Sequence, residues 1–208
     1  MTIEMRRLPV LTEKALADTK ALQVQTGDQY EQSLHKEGGT LSCYKGCSWC
    51  CHHPFLITVA EGILLHRYLK QAGLWNSDLR KRLEDHRAKT KNLSPEVWLL
   101  SVIPCPLLDN RECVAYGSRP LHCRATFSTG DPLGCHPHEL GESTALLASS
   151  STVIMDYLEK VRAILKKVDF PNRMYTISEA ILMGSKVVSG ELELADLEAK
   201  FWEELANG

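Results

Sequence analysis

Four cysteines fall within nine residues in "CYKGCSWCC", and four more follow in the middle of the chain. The first set reads Cys43-x3-Cys47-x2-Cys50-Cys51 and the second Cys105-x7-Cys113-x9-Cys123-x11-Cys135. Thiols at this density can form disulfides, hold a metal ion, ligate an iron–sulfur cluster or act as a redox pair. The tight first spacing brings sulfurs together while ordering little chain. The wide second spacing needs the fold, or the bound metal, to gather its sulfurs, and metal binding supplies folding energy of that kind.

The adjacent pair Cys50-Cys51 discriminates among these chemistries. Zinc takes four ligands in a tetrahedron, and paired C-x2-C knuckles are its strongest sequence sign. Only one such spacing occurs here, inside a denser run. Neighbouring side chains diverge in most backbone conformations, so two adjacent sulfurs seldom reach one ion. A polynuclear cluster, or two sites sharing the stretch, removes the difficulty, and iron–sulfur clusters do take thiolates from a tight run plus a remote cysteine. The expected ligand set is therefore Cys43, Cys47, Cys50, Cys51, Cys105, Cys113, Cys123 and Cys135, holding an iron–sulfur cluster, a 4Fe-4S cluster by preference, with Zn2+ as the alternative. His52, His53, His122, His136 and His138 lie beside cysteines and are secondary candidates, since imidazole suits zinc and iron alike. Arg119, Arg124 and Lys45 flank cysteines and are placed to offset the negative charge of a thiolate site. Trp49 reads as packing that excludes water, and Glu61 as a helix-capping acid.

The totals narrow the setting. The chain has 208 residues, 24 basic against 26 acidic, and net charge −2. No basic excess points to nucleic acid, and "RKRLEDHRAKTK" reads as a solvated helix face. No stretch approaches the ~20 apolar residues of a membrane span. The N-terminus lacks the apolar core of a signal peptide. A cytoplasmic protein is expected, free of nucleic acid and membrane, with an unidentified protein or small-molecule partner. Thiols stay reduced in that compartment, which turns eight cysteines towards metal or catalysis and away from disulfides.

The elements that must position these residues read as mainly α, with helices packed around an irregular, loop-rich cysteine centre. A single domain over 1–208 is expected, its 43–135 core flanked by helices at about 9–37 and 146–206. Thr12 is a plausible N-cap for the first helix, with Gly38-Gly39 as its stop. "PFLIT" allows one short strand. Thr58 and Glu61 then have capping-box spacing ahead of a helix ended near Gly73. A polar helix follows, and Ser94-Pro95 starts another. From Ser101 to about Thr144, prolines and glycines exclude long helices. Beyond them Ile154, Tyr157, Leu158, Val161, Ile164, Leu165 and Val168 recur at helical spacing, "ISEAILMGSKVV" follows, and Leu194, Leu197, Phe201 and Leu205 share a stripe. No internal repeat is evident.

Taken together, "CYKGCSWCC", "CPLLDNRECVAYGSRPLHCR" and "STGDPLGC" resemble the YkgJ-like cysteine-cluster family, the CxxCxxCC type described as a zinc- or iron-chelating domain. The resemblance spans roughly residues 43 to 135. It places the family's run on Cys47, Cys50 and Cys51, its following acid on Glu61, and its later motifs on Cys105-Pro106-Leu107-Leu108, Cys113, Tyr116, Arg119-Pro120 and Cys123-Arg124. It implies metal ligation by these cysteines, with iron–sulfur binding proposed for some relatives, and implies no shared reaction. The run Cys43/Cys47/Cys50 also satisfies the C-x3-C-x2-C of radical-SAM enzymes, a further alternative whose partial βα-barrel finds no alternating elements here. A thiol-redox protein lacks its βαβ setting. A metal carrier stays open.

Overall fold

The computed structural model describes residues 8–36, 41–44, 46–128, 135, 147–149, 151–171 and 173–197. Among them the architecture is mainly α. Seven helices are joined by three two-stranded antiparallel ribbons and short 3-10 turns. The Gly38-Gly39 stop, Phe201 and Leu205 lie outside the described residues.

Two elements far apart in the chain form the centre of the fold. Strand β1 (Leu56–Thr58) runs straight into helix α2 (Val59–Gln71), and the last strand of the chain, Met174–Thr176, runs straight into a helix over Ile177–Ser189. The two strands pair antiparallel, with Leu56 opposite Thr176, Ile57 opposite Tyr175 and Thr58 opposite Met174. Each helix starts with a complete capping box, Thr58 with Glu61 and Thr176 with Glu179, which satisfies amides that would otherwise be orphaned. The stretches "TVAEGIL" and "TISEAIL" match at the cap, the acid and the Ile-Leu pair. The likeness is confined to these helix starts and is no internal repeat of the chain. The matching positions are a capping box and two apolar residues that any buried helix start favours, so the likeness is visible only once the pairing aligns it.

The two helices approach backbone to backbone. A Cβ on Gly62 would stand 2.1 Å from the carbonyl oxygen of Ala180, and one on Gly184 would stand 2.7 Å from the amide nitrogen of Ile63. Gly62 and Ala180 occupy equivalent positions in the two matching stretches, and Ile57 faces Tyr175 across the strand pair. Ile57, Ile63, Leu65, Leu69 and Ile181 are fully buried around this contact.

The remaining helices wrap the pair. Helix α1 (Val10–Lys36) lies against α2 and the late helix α6 (Ser151–Lys166), which buries Ile154, Tyr157, Val161 and Leu165 as its spacing predicts. Thr12 is not the N-cap of α1. The helix begins at Val10, and Thr12 is buried in its first turn. Glu13 governs the entry by accepting from the Leu8 amide at 3.3 Å and pairing with Arg67 at 2.7 Å, which holds its carboxyl below the usual range. Helix α3 (Ser77–Thr90) is capped by Asn76 and buries only Leu79, Leu83, His86 and Thr90, with its charged face in water. Helix α4 (Pro95–Ser101) starts at the expected Ser94-Pro95. The irregular middle holds the ribbon β2 (Leu108–Asp109)–β3 (Glu112–Cys113), the single-turn helix α5 (Leu121–Arg124), and β4 (Thr126–Ser128) paired with β5 (Leu147–Ser149). The last strand is thus β6 and the last helix α7. None of the described helices is long and apolar enough to cross a membrane.

Gly62→Ala must push α2 away from the Ala180 carbonyl, at about 3 kcal/mol, equivalent to a melting temperature lower by roughly 6–12 °C. Gly117→Ala meets nothing closer than 3.9 Å and serves as the control. Thermal melts of the two variants check the contrast.

Candidate metal centre

Both cysteine segments arrive at one place because backbone hydrogen bonds splice them together. The first run leaves Tyr44 through a tight turn closed by the Cys47 amide donating to the Tyr44 carbonyl at 3.0 Å, with Gly46 at φ +94°. Glycine is the residue that reaches this φ without steric cost. Trp49–His52 form a 3-10 turn that carries Cys50 and Cys51. The Cys105 amide then donates to the Cys51 carbonyl at 2.7 Å, and the Ser42 amide to the Ser128 carbonyl at 2.8 Å. His122 Nδ1 meets the Leu56 carbonyl oxygen at 2.5 Å, while the rings of His53, Phe55 and His122 stack in series at 5.9 and 5.8 Å.

Six of the eight cysteines, Cys47, Cys50, Cys51, Cys105, Cys113 and Cys123, line one cavity of about 70 Å³. That volume exceeds the ~10–15 Å³ needed for one water several-fold. Apolar groups including Phe55, Trp98, Ile103 and Leu107 share the wall with the charged Arg111, Glu112 and Arg119. Cys43 and Cys135 stand outside the lining. Cys43 accepts from the Ser128 amide at 3.2 Å, and the Cys135 carbonyl oxygen meets His53 Nε2 at 3.1 Å. All eight thiols are free. Among the described residues, no three Cys, His, Asp or Glu side chains already stand where one metal ion could bond them all. The sulfurs frame a space and do not yet converge on a point.

Their electrostatics sort the thiols further. Burial pushes Cys105 up to about 12 and Cys123 well above its ordinary value, and the charges of neighbouring cysteines add to both. Cys123 feels Cys105, Cys50 and Cys113; Cys105 feels Cys113 and Cys50; Cys113 feels Cys50. Every pair within Cys50, Cys105, Cys113 and Cys123 is therefore close enough to interact. A second, looser group joins Cys43 to Cys47, Cys50 and Cys135. Cys50 belongs to both groups, and the hydrogen bond it shares with Cys51 is the chief reason its own thiol is pushed up.

Three cations act on these sulfurs, and one of them, Arg82, draws the Cys105 thiol down. Arg119 stacks over the Tyr116 ring at 3.8 Å and draws the Cys50, Cys113 and Cys123 thiols down against burial, and Arg111 does the same for Cys47. Arg124 does not act as expected. Its guanidinium pairs with Asp28 at 3.3 Å, and its stem lies on the Gly27 face of α1. Arg111 takes its place, out of a hairpin turn that sequence reading left unassigned. Lys45, His136 and His138 lie outside the described residues. His52 Nδ1 is engaged with the Ser48 carbonyl at 3.2 Å, and Trp49 packs on the His52 ring.

Glu61 is more than a helix cap. It is 3% exposed and accepts four hydrogen bonds. Oε2 takes the Thr58 amide at 3.0 Å and the Thr58 hydroxyl at 3.1 Å. Oε1 takes the Leu121 amide at 3.1 Å and the Tyr157 hydroxyl at 3.2 Å. The Leu121 amide opens α5, the turn that carries Cys123. Gln23 of α1 reinforces this junction by donating to the Arg119 carbonyl oxygen. His86 is the other residue missed from sequence. It lies on the inner stripe of α3, meets the Ser178 hydroxyl at 2.8 Å through Nδ1, and lines the cavity. Only its i, i+3, i+4 relation to Leu79, Leu83 and Thr90 could have drawn it inward from a strongly charged stretch.

The comparisons with known proteins follow this geometry. Residues 42–146 match the family model described as "CxxCxxCC: Putative zinc- or iron-chelating domain". The chain belongs to the CxxCxxCC family. The match covers half of the chain and takes in all eight cysteines. In this chain three residues, not two, separate the first two cysteines of the run, and Gly46 turns the longer loop. No curated protein and no solved structure matches the chain significantly.

Glu61→Gln keeps the shape of the carboxylate but turns an amide donor towards groups that already donate. The expected loss is about 3 kcal/mol in the metal-free chain, with Tyr157→Phe losing about 1–2 kcal/mol; urea unfolding measures both.

Burial holds His66 and His86 neutral, with values pushed down to about 4. The unfolded chain binds their protons near pH 6.5 while the folded chain does not. Their contribution to stability is therefore intact above about pH 6.5 and is lost as pH falls towards 4. Urea midpoints should decline from pH 7 to 5, and His86→Gln should flatten that decline.

Proposed function

We propose that this CxxCxxCC-family protein holds an iron–sulfur cluster, with Cys50, Cys105, Cys113 and Cys123 as its innermost ligands. The observation that carries the reading is the shared cavity of about 70 Å³ framed by six thiols. A mononuclear tetrathiolate zinc site draws its sulfurs onto one point and leaves no such space. A polynuclear cluster fills a volume and can take sulfurs from adjacent residues. Cys47 and Cys51 line the same space, while Cys43 and Cys135 form an outer layer joined to it through Cys50.

The chemistry of the donors fits either metal of the family description. Thiolates ligate both zinc and iron–sulfur clusters, and the inner four are half-buried in the cavity wall. When bound, an iron–sulfur cluster supplies one-electron transfer or Lewis acidity at an open iron. The chain's own contribution is to bring two segments to one place, to exclude water with Phe55, Trp98 and Leu107, and to set two guanidinium charges beside the thiolates. Eight free thiols fit a reducing compartment, so we place the protein in the cytoplasm.

A radical-SAM reading gains no support from this geometry. Its three cysteines would be Cys43, Cys47 and Cys50, yet Cys43 stands outside the cavity lining. All sheets among the described residues are antiparallel pairs, not a βα-barrel.

Anaerobic purification followed by iron, zinc and acid-labile sulfide analysis is the test. A brown protein with matching iron and sulfide is expected. A colourless one with stoichiometric zinc and no sulfide would sink the cluster in favour of structural zinc. Serine replacement of Cys50, Cys105, Cys113 or Cys123 should abolish the visible absorption, whereas Cys43→Ser should keep most of it. The opposite pattern would move the ligand set outward.

A further inference from the structure

Strands β2 and β3 are joined by a two-residue loop, Asn110-Arg111, because Asp109 pairs with Glu112. Both loop residues have positive φ, +47° and +65°. This is the signature of a type I′ turn, whose second position normally goes to glycine. Asparagine tolerates the left-handed region, and arginine enters it only against steric cost. The chain nevertheless keeps a long cationic side chain at the position where glycine would relax the turn.

The position of that side chain gives a reason. Arg111 lines the thiol cavity together with Cys47 and Cys113. Among the described residues its guanidinium has neither a carboxylate partner nor any other polar partner. Its charge is felt at Cys47. Arg119 sits on the same lining, likewise without a carboxylate, and Tyr116 holds it in place. A site of four thiolates around Zn2+, or around an oxidised four-iron cluster, carries net charge −2. The guanidiniums of Arg111 and Arg119 oppose it in sign, with Arg82 adding a third such charge near Cys105 and Glu112 on the lining offsetting one.

We infer that Arg111, held in a strained turn, is a positioning residue whose charge, with that of Arg119, neutralises the thiolate-bound metal centre. This rests on reading the cysteines as a thiolate metal centre. Strain kept at such a spot marks a trade of stability for function. Arg111 is exposed at the rim of the cavity, where its charge reaches the sulfurs without the cost of burying the guanidinium, and the Glu112 carboxylate on the same lining offsets part of it.

The test uses the full chain with Zn2+ as probe, since thiolate sites bind zinc whichever metal they hold in the cell. Arg111→Gly relieves the turn, and the melting temperature of the metal-free chain should rise by about 3 °C. The same variant should bind Zn2+ about tenfold more weakly in chelator competition, from loss of one nearby charge. Arg111→Lys keeps both the strain and the charge, and should return both values to those of the parent. In iron-and-sulfide-reconstituted protein, Arg111→Gly should also lower the reduction potential, which a purely structural residue would leave unmoved. A parent chain that binds Zn2+ while Arg111→Gly binds it equally tightly overturns the inference alone. A parent chain that binds no Zn2+ overturns the centre and the inference with it. A melting temperature that falls in Arg111→Gly refutes the strained turn.

Discussion

A single buried carboxylate, that of Glu61, joins the scaffold of this protein to its metal centre. A charge removed from water must be met by donors, and Glu61 meets four of them from three different elements. Thr58 supplies two from the start of α2, Leu121 one from the start of α5, and Tyr157 one from α6. Each donor comes from a group that would itself be orphaned without the acid, because helix starts carry free amides and a buried hydroxyl needs a partner. Removing any one therefore exposes the cost of the others. The arrangement sets α5, and with it Cys123, at a fixed place relative to the start of α2.

The scaffold can hold that position because α2 itself cannot shift. Its backbone rests on α7 through Gly62 and Gly184, at separations no larger side chain would permit. The β1–β6 pair ties the two helix starts together. Close packing of this kind transmits strain instead of absorbing it. The cysteine segments need it, since from Pro104 to Ala125 they have no long element of their own. Their order is borrowed: Cys105 from the Cys51 carbonyl, Cys123 from Glu61, Arg119 from Gln23 on α1.

Much of this was legible in the sequence, and the rest failed for physical reasons. Thr58 with Glu61, Ser94-Pro95 and Gly73 carry local chemistry, and each acts where its spacing places it. The mainly α class and the irregular cysteine middle follow from the same signals. What could not be read depends on long-range contact. Arg124 adjoins Cys123 in sequence but turns to Asp28 on α1, whereas Arg111 lies beyond a turn and reaches Cys47. His86 sits in a stretch so charged that its buried stripe is diluted. Thr12 has the right residue type for an N-cap, yet Glu13 and Arg67 stabilise an earlier start. Sequence neighbours are poor guides wherever the chain is brought together by its fold.

The state of the thiols gives the architecture its final consequence. In the metal-free chain the inner cysteines are buried and mutually repulsive as thiolates, so they stay protonated well above neutral pH. A metal must therefore displace several protons from a low-dielectric space, and the free energy for this comes from sulfur–metal bonding. Burial that makes apo thiols inert also strengthens every remaining interaction once the metal is bound, including those with Arg111 and Arg119. The guanidiniums beside the cavity, only partly offset by Glu112 on the same lining, are then matched by the charge of the thiolate centre. The lining thus carries charges of both signs with the guanidiniums in excess, which suits a cavity whose thiols become thiolates when metal binds.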